Sequence, residues 1–194
     1  MKRVIWVALL AVLTLSGCVV GQKLEMDYTA AARDVQEENS VRVSVTDDRP
    51  YVVSGDKKPW YVGKYRAGFG IPWDVTTDNN QPLAQMVAED VEQALRAKGF
   101  AIAAQTPNRT LSISILDWNF DGYQDGRFWY ELQVQVSDAA GTIVTSETLK
   151  KATVIEGTFW AGAKGGFEKQ MPGIYEGIIR SIGDNKDVLS ALRK

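Results

Sequence analysis

The chain has 194 residues, with 22 lysines and arginines against 24 aspartates and glutamates, a net charge of −2, one cysteine and no histidine. The missing histidine excludes serine–histidine–aspartate triads, cysteine–histidine dyads and histidine zinc sites, and no basic excess points to nucleic acid. Carboxylate chemistry, a lysine-activated serine and an oxygen-liganded metal are the catalytic options left.

Lys2 and Arg3 precede an apolar run over residues 4–15, too short to span a bilayer as a permanent helix, and Ser16 and Gly17 supply the small residues a signal peptidase needs. The quartet Leu15, Ser16, Gly17, Cys18 resembles the lipobox of bacterial lipoproteins at every position. That resemblance implies a signal peptide of residues 1–17, cleavage between Gly17 and Cys18, diacylglycerol on the Cys18 thiol and an acyl chain on the new amine. Three such chains hold a protein to a membrane almost irreversibly without a transmembrane helix. An Asp after the lipidated cysteine favours the inner membrane in Gram-negative lipoproteins; Val19 stands there, which implies the outer membrane and its periplasmic face.

Processing would remove Lys2 and Arg3 with the leader, leaving 177 residues and a net charge of −4, enough chain for one domain with its own core. With the only cysteine committed to lipid, no disulfide is available, and the covalent lipid is the only cofactor expected.

Residues 18–40 read as a polar tether in which Leu24, Met26 and Tyr28 alternate. Fully extended, it would reach on the order of 60 to 70 Å at about 3.3 Å per residue, unless the alternating residues dock as an edge strand. Val41, Val43 and Val45 then predict a half-buried strand that ends at Asp47, Asp48, Arg49 and Pro50. An irregular stretch to Asn80 follows, with a short strand expected over residues 61–66.

Leu83, Met86, Val87, Val91, Ala94 and Leu95 recur every three or four residues and predict a helix over residues 82–98. Asn80 is its candidate N-cap, Pro82 suits its first turn, and Gly99 ends it with Phe100 folding back. Alternation predicts strands over residues 111–116 and 128–136, a turn over residues 137–141 and a third strand over residues 142–155. Glycines 157, 162, 165 and 166 suggest a loop; apolar spacing from Phe167 to Ile182 predicts a second helix, and Val188, Leu189 and Leu192 a last turn. This order gives one two-layer α+β domain over residues 41–194, a largely antiparallel sheet of four or five strands with two helices on one face.

Asp117, Asn119, Asp121, Gly122 and Asp125 match five positions of an EF-hand calcium loop. The bidentate Glu at position twelve is replaced by Phe128 and the flanks read as strands, so a polar hairpin connection is the simpler reading and no metal site is assigned. Glu131 with Asp117, Asp121 or Asp125 is the obvious carboxylate grouping for glycoside hydrolysis, but the pattern shows neither a cleft nor a raised pKa. Trp60, Tyr61, Tyr65, Phe69 and Trp73, set among Lys57, Lys58, Lys64 and Arg66, either seal one end of the core or form a contact surface; Trp60, Tyr61, Tyr65 and Trp73 are the candidate partner-binding residues.

The lipobox, the valine strand, the helix ending in Arg96, Ala97, Lys98, Gly99 and Phe100, the alternation of residues 111–116 and the final helix followed by Val188 to Leu192 resemble the YajG-type family of bacterial lipoproteins. The resemblance spans most of the mature chain, although residues 51–75 form a longer segment than that family has. It implies an envelope lipoprotein with no established catalytic residues. The expectation is therefore a non-enzymatic, lipid-anchored accessory or scaffold that binds an envelope protein partner and no nucleic acid. A peptidoglycan- or lipopolysaccharide-binding module and a carboxylate-dependent glycan hydrolase are the alternatives from other classes.

Overall fold

The computed structural model describes residues 22–30, 40–66, 70–103, 106–158 and 162–194. Gly17, Cys18 and Phe69 lie outside them. Eight strands form one sheet: β1 (Gln22–Leu24), β2 (Ser40–Asp47), β3 (Tyr61–Arg66), β4 (Pro72–Thr77), β5 (Ala101–Ile102), β6 (Arg109–Gly122), β7 (Gly126–Asp138) and β8 (Ile143–Ile155). The helices are α1 (Pro50–Val53), α2 (Leu83–Ala97), α3 (Gly162–Gly183) and α4 (Lys186–Arg193).

Strand β6 organises the sheet. Along one edge it pairs antiparallel with β7 from end to end, and β7 pairs antiparallel with β8. The other edge is divided: residues 109–115 take β2 in parallel, and Asp121 and Gly122 take β3 in parallel. A bulge between Ile115 and Asp117 marks the division. It inserts Leu116 and resets the alternation, so the odd inward residues Leu111, Ile113 and Ile115 are followed by the even inward residues Trp118 and Phe120, all buried. Reading strict alternation ends the strand at residue 116; the bulge lets it run to Gly122 and turn directly into β7.

The expected four or five largely antiparallel strands and two helices are thus corrected, among the described residues, to an eight-stranded mixed sheet and four helices. The additional strands are short: β4 pairs antiparallel with the preceding β3, while β1 and β5 pair with strands distant in sequence. Strand β1, from within the expected tether, lies parallel to β4, and β5 adds two residues parallel to β2. Leu24 and Met26 are buried there, so the sticky alternation of the tether docks on the domain.

The six apolar residues that predict α2 are the six it buries. Gly99, at φ 97°, ends the helix in the left-handed region while Phe100 N–H donates back to Leu95 O at 3.1 Å. Pro82 takes the N-cap position; Asn80, the expected cap, sits in a preceding 3₁₀ turn. The second long helix begins earlier than its apolar spacing indicates, at Gly162, and carries Pro172 inside. The last turn is an eight-residue helix, α4, whose N-cap Asn185 accepts from the N–H groups of Asp187 and Val188 at 3.0 and 3.1 Å.

Helices α2, α3 and α4 contribute to one core with the inward residues of β6 and β7. Its densest part is aromatic. Trp118 meets Phe128 and Tyr175 edge to face at 5.2 and 6.0 Å, and Phe120 stacks on Phe167 at 3.9 Å. The approach is close enough that a Cβ on Gly166 would lie 2.0 Å from Glu156 O and one on Gly63 would lie 2.6 Å from Phe120 Cβ.

Candidate partner-binding surfaces

The aromatic segment divides when folded. Tyr61 and Tyr65 are buried, and Trp60 and Trp73 are half-buried. Burial, with the nearby carboxylate of Asp74, raises the pKa of the Tyr61 hydroxyl; as a neutral donor it reaches Asn119 Oδ1 at 3.2 Å. The Lys57 ammonium lies 4.7 Å over its ring, and Tyr51 meets that ring edge to face at 5.6 Å.

This packing is fastened by a residue that sequence patterns passed over as part of a turn. Arg49 is fully buried. Its Nε and Nη2 donate to the two Asp47 carboxylate oxygens at 2.7 and 2.6 Å. Nη1 and Nη2 also donate to the carbonyls of Tyr61 and Pro59 at 2.6 and 3.1 Å. Burial alone would lower its pKa, but the hydrogen bonds and charge of Asp47 outweigh it and hold the guanidinium charged. Beside it the Tyr51 hydroxyl, pushed up to about 12 chiefly by burial, donates to Trp118 O at 2.7 Å across the β6 division.

The acidic residues at calcium-loop spacing lie on β6 and its turn and are engaged by the protein. Asp117 accepts from the Trp129 indole and the Trp118 N–H, each at 2.8 Å. Asp121 accepts two bonds from Arg66 at 3.0 Å and pairs with Lys64 at 3.4 Å; those cations overcome its partial burial and lower its pKa. Asp125 accepts from the Gly157 N–H at 3.0 Å. Asp117 and Glu131 do stand opposite each other on adjacent strands, on the outward face of the sheet.

A concave surface lies elsewhere, between α3 and the sheet margin. A groove of about 660 Å³ has Tyr130, Lys151 and Thr153 of β7 and β8 along one wall and Gln170, Ile174 and Ser181 of α3 along the other. Gly173 and Gly177 form part of the helix wall, one turn apart, and a Cβ on either would meet nothing within 4 Å. Neither has the positive φ that would call for glycine. Ile174 and Tyr130 are half-buried at the groove and pack on the core behind it.

A second acidic cluster lies where β1 approaches α2. The Tyr175 hydroxyl donates to Asp90 Oδ2 at 2.5 Å. Burial, opposed by that bond and reinforced by Asp27 and Glu89, pushes Asp90 up to about 6. Among the described residues no group of three or more acidic, cysteine or histidine side chains is arranged to hold a metal, and no helix is long and apolar enough to cross a membrane.

No protein-family model and no curated protein matches the chain. Among solved structures, protein XCC0632 from Xanthomonas campestris, of the family described as DUF330, aligns at a TM-score of 0.55 and 17% identity, over 87% of this chain and 98% of that one. Uncharacterized lipoprotein B from Nitrosomonas europaea aligns at 0.45 and 9% identity over 84% and 93%. A minor lipoprotein from Acinetobacter baumannii aligns at 0.39 and 10% identity over 76% and 94%. The first of these likenesses places the chain among proteins of this mixed α+β fold, while the narrower YajG-type resemblance rests on its sequence patterns.

Proposed function

We propose that this protein is a non-enzymatic, lipid-anchored envelope lipoprotein, held through Cys18 at the periplasmic face of the outer membrane, that acts as an accessory or scaffold by binding a protein partner in the groove between α3 and the β7–β8 margin. The observation that carries this reading is the pair Gly173 and Gly177. A glycine inside a helix costs about 0.5 to 1 kcal/mol relative to alanine. These two need neither a special backbone angle nor a close internal contact, and the space above them is open. Such a wall lets the side chains of an incoming protein segment approach the helix backbone, with Ile174 and Tyr130 as apolar contacts and Lys151 at the rim.

The lipobox supports the anchor, since a leader with this quartet supplies the one thiol that lipidation uses. A glycan hydrolase is disfavoured because Asp117 is held by the Trp118 N–H, the Trp129 indole and the Tyr51 hydroxyl and does not line the groove. Photo-crosslinking in living cells tests the groove. A photoreactive residue at Ser181, in the groove, should capture one discrete envelope protein, whereas one at the exposed Gln85 of α2 should not. Equal, diffuse capture from both positions would reject the reading.

A further inference from the structure

Independently of the groove, β8 is built to pair with itself. It is 13 residues long and pairs with β7 alone, so its outer edge is unpaired among the described residues. The strands β1 and β5, at the ends of the rest of the sheet, have three and two residues. Long edges are usually blunted by proline, bulges or inward charges. Strand β8 has no proline, its bulge falls at its first residues, its inward charges Glu147 and Lys151 are of opposite sign, and Ile143, Val144 and Val154 are exposed at its two ends.

The order of its residues is near-palindromic about Leu149. Written outward from that centre, Thr148 answers Lys150, Glu147 answers Lys151, Ser146 answers Ala152, Thr145 answers Thr153 and Val144 answers Val154. We propose that two copies of this chain associate by antiparallel pairing of their β8 strands about a two-fold axis through Leu149.

Antiparallel pairing places opposed residues on the same face, and in this register every opposed pair shares parity, so outward-pointing backbone groups meet outward-pointing backbone groups. Glu147 and Lys151 then face each other twice on the side toward the helices, and Thr145 and Thr153 meet at both ends of the regular ladder, just inside the bulge at Val144. Lys151 makes no ion pair among the described residues, and Glu147 is already oriented by Asn185 Nδ2 at 2.6 Å. The neighbouring registers of the same symmetry are worse. One sets Lys150 against Lys150, and the other sets Leu149 against Glu147. A lysine pair that would guard this edge against foreign strands is compatible with a second copy.

Cysteine crosslinking of the full chain reads the register. Ser146 and Ala152 are both exposed on β8 and bond to different β7 partners. In the dimer each lies opposite the other, at about 4.5 to 5.5 Å between Cα atoms, within disulfide reach. Within one chain, or between identical positions, they are about 20 Å apart at about 3.3 Å per residue. Ser146→Cys with Ala152→Cys should therefore give a disulfide-linked species of twice the chain mass under mild oxidation, while either single substitution gives none. Lys151→Glu in that background should cut the dimer yield about tenfold or more by setting two carboxylates against each other, and adding Glu147→Lys should restore it. No dimer from the folded double-cysteine chain, equal dimer from the single variants, or an adduct of another mass would overturn the proposal.

Discussion

Two places along α3 carry the same residue for opposite reasons. At its start Gly166 is pressed against the end of β8, where a Cβ would come within 2.0 Å of Glu156 O; two and three turns later Gly173 and Gly177 have nothing within 4 Å. The first glycine reports packing against the protein's own backbone. The later pair reports space that the chain leaves unfilled. Clamped contacts, at Gly166 and on the face that packs on the core through Phe167, Tyr175 and Ile179, are thus distinct from an open face beside the β7–β8 margin, and the groove lies on the open face.

The clamped contacts should break first. Trp118→Ala, which empties the centre of the aromatic core beneath Tyr175, should cost about 3 to 5 kcal/mol in chemical denaturation. Gly166→Ala should cost about 1 to 3 kcal/mol, because the helix must move off β8 to admit one methyl group. By contrast, Gly177→Ala should raise stability by about 0.5 to 1 kcal/mol, since the methyl enters open space and the helix gains propensity. If the two glycine substitutions had the same sign, the division of α3 would be wrong.

Asp90 sharpens the comparison through pH. Its carboxyl in the folded protein is pushed up to about 6 by burial beside Tyr175 on the clamped side, above its ordinary value near 3.8. The folded state therefore holds this proton more tightly than the unfolded chain does. The resulting stabilisation is fully present below about pH 4 and is lost as pH rises through about 6. The melting temperature of Asp90→Asn should accordingly gain on that of the parent chain between pH 4 and pH 7. A constant difference across that range would show that Asp90 ionises as it would in the unfolded chain.

How much of this was legible in the sequence depended on the distance over which a pattern is set. The stripe from Leu83 to Leu95 is local, and it named every buried residue of α2. The alternation of residues 111–116 was local too, but one bulged residue, Leu116, inverted its phase and hid the inward placement of Trp118 and Phe120. The parallel pairings of β1, β2 and β5 join segments that share no turn, so no short-range signal announces them. Arg49 reads as punctuation between Asp48 and Pro50, and its role appears only when the carbonyls of Pro59 and Tyr61 arrive beside it. The candidate contact residues Trp60, Tyr61, Tyr65 and Trp73 were visible as aromatics, but which face each takes was not: Tyr61 and Tyr65 turn inward and Trp60 and Trp73 remain half-exposed. The groove leaves no trace in composition, because it is the gap between a helix and a strand; Gly173 and Gly177, four residues apart, are the one clue, and their spacing gains meaning only once the helix stands beside β8.

The most direct test of the open face as a contact surface is to fill it. Gly177→Leu, combined with the photoreactive residue at Ser181, should melt within a degree or two of the parent chain, as expected for a side chain entering open space, and should lose the discrete crosslink. Undiminished capture of the same partner by a stably folded Gly177→Leu protein would contradict the account.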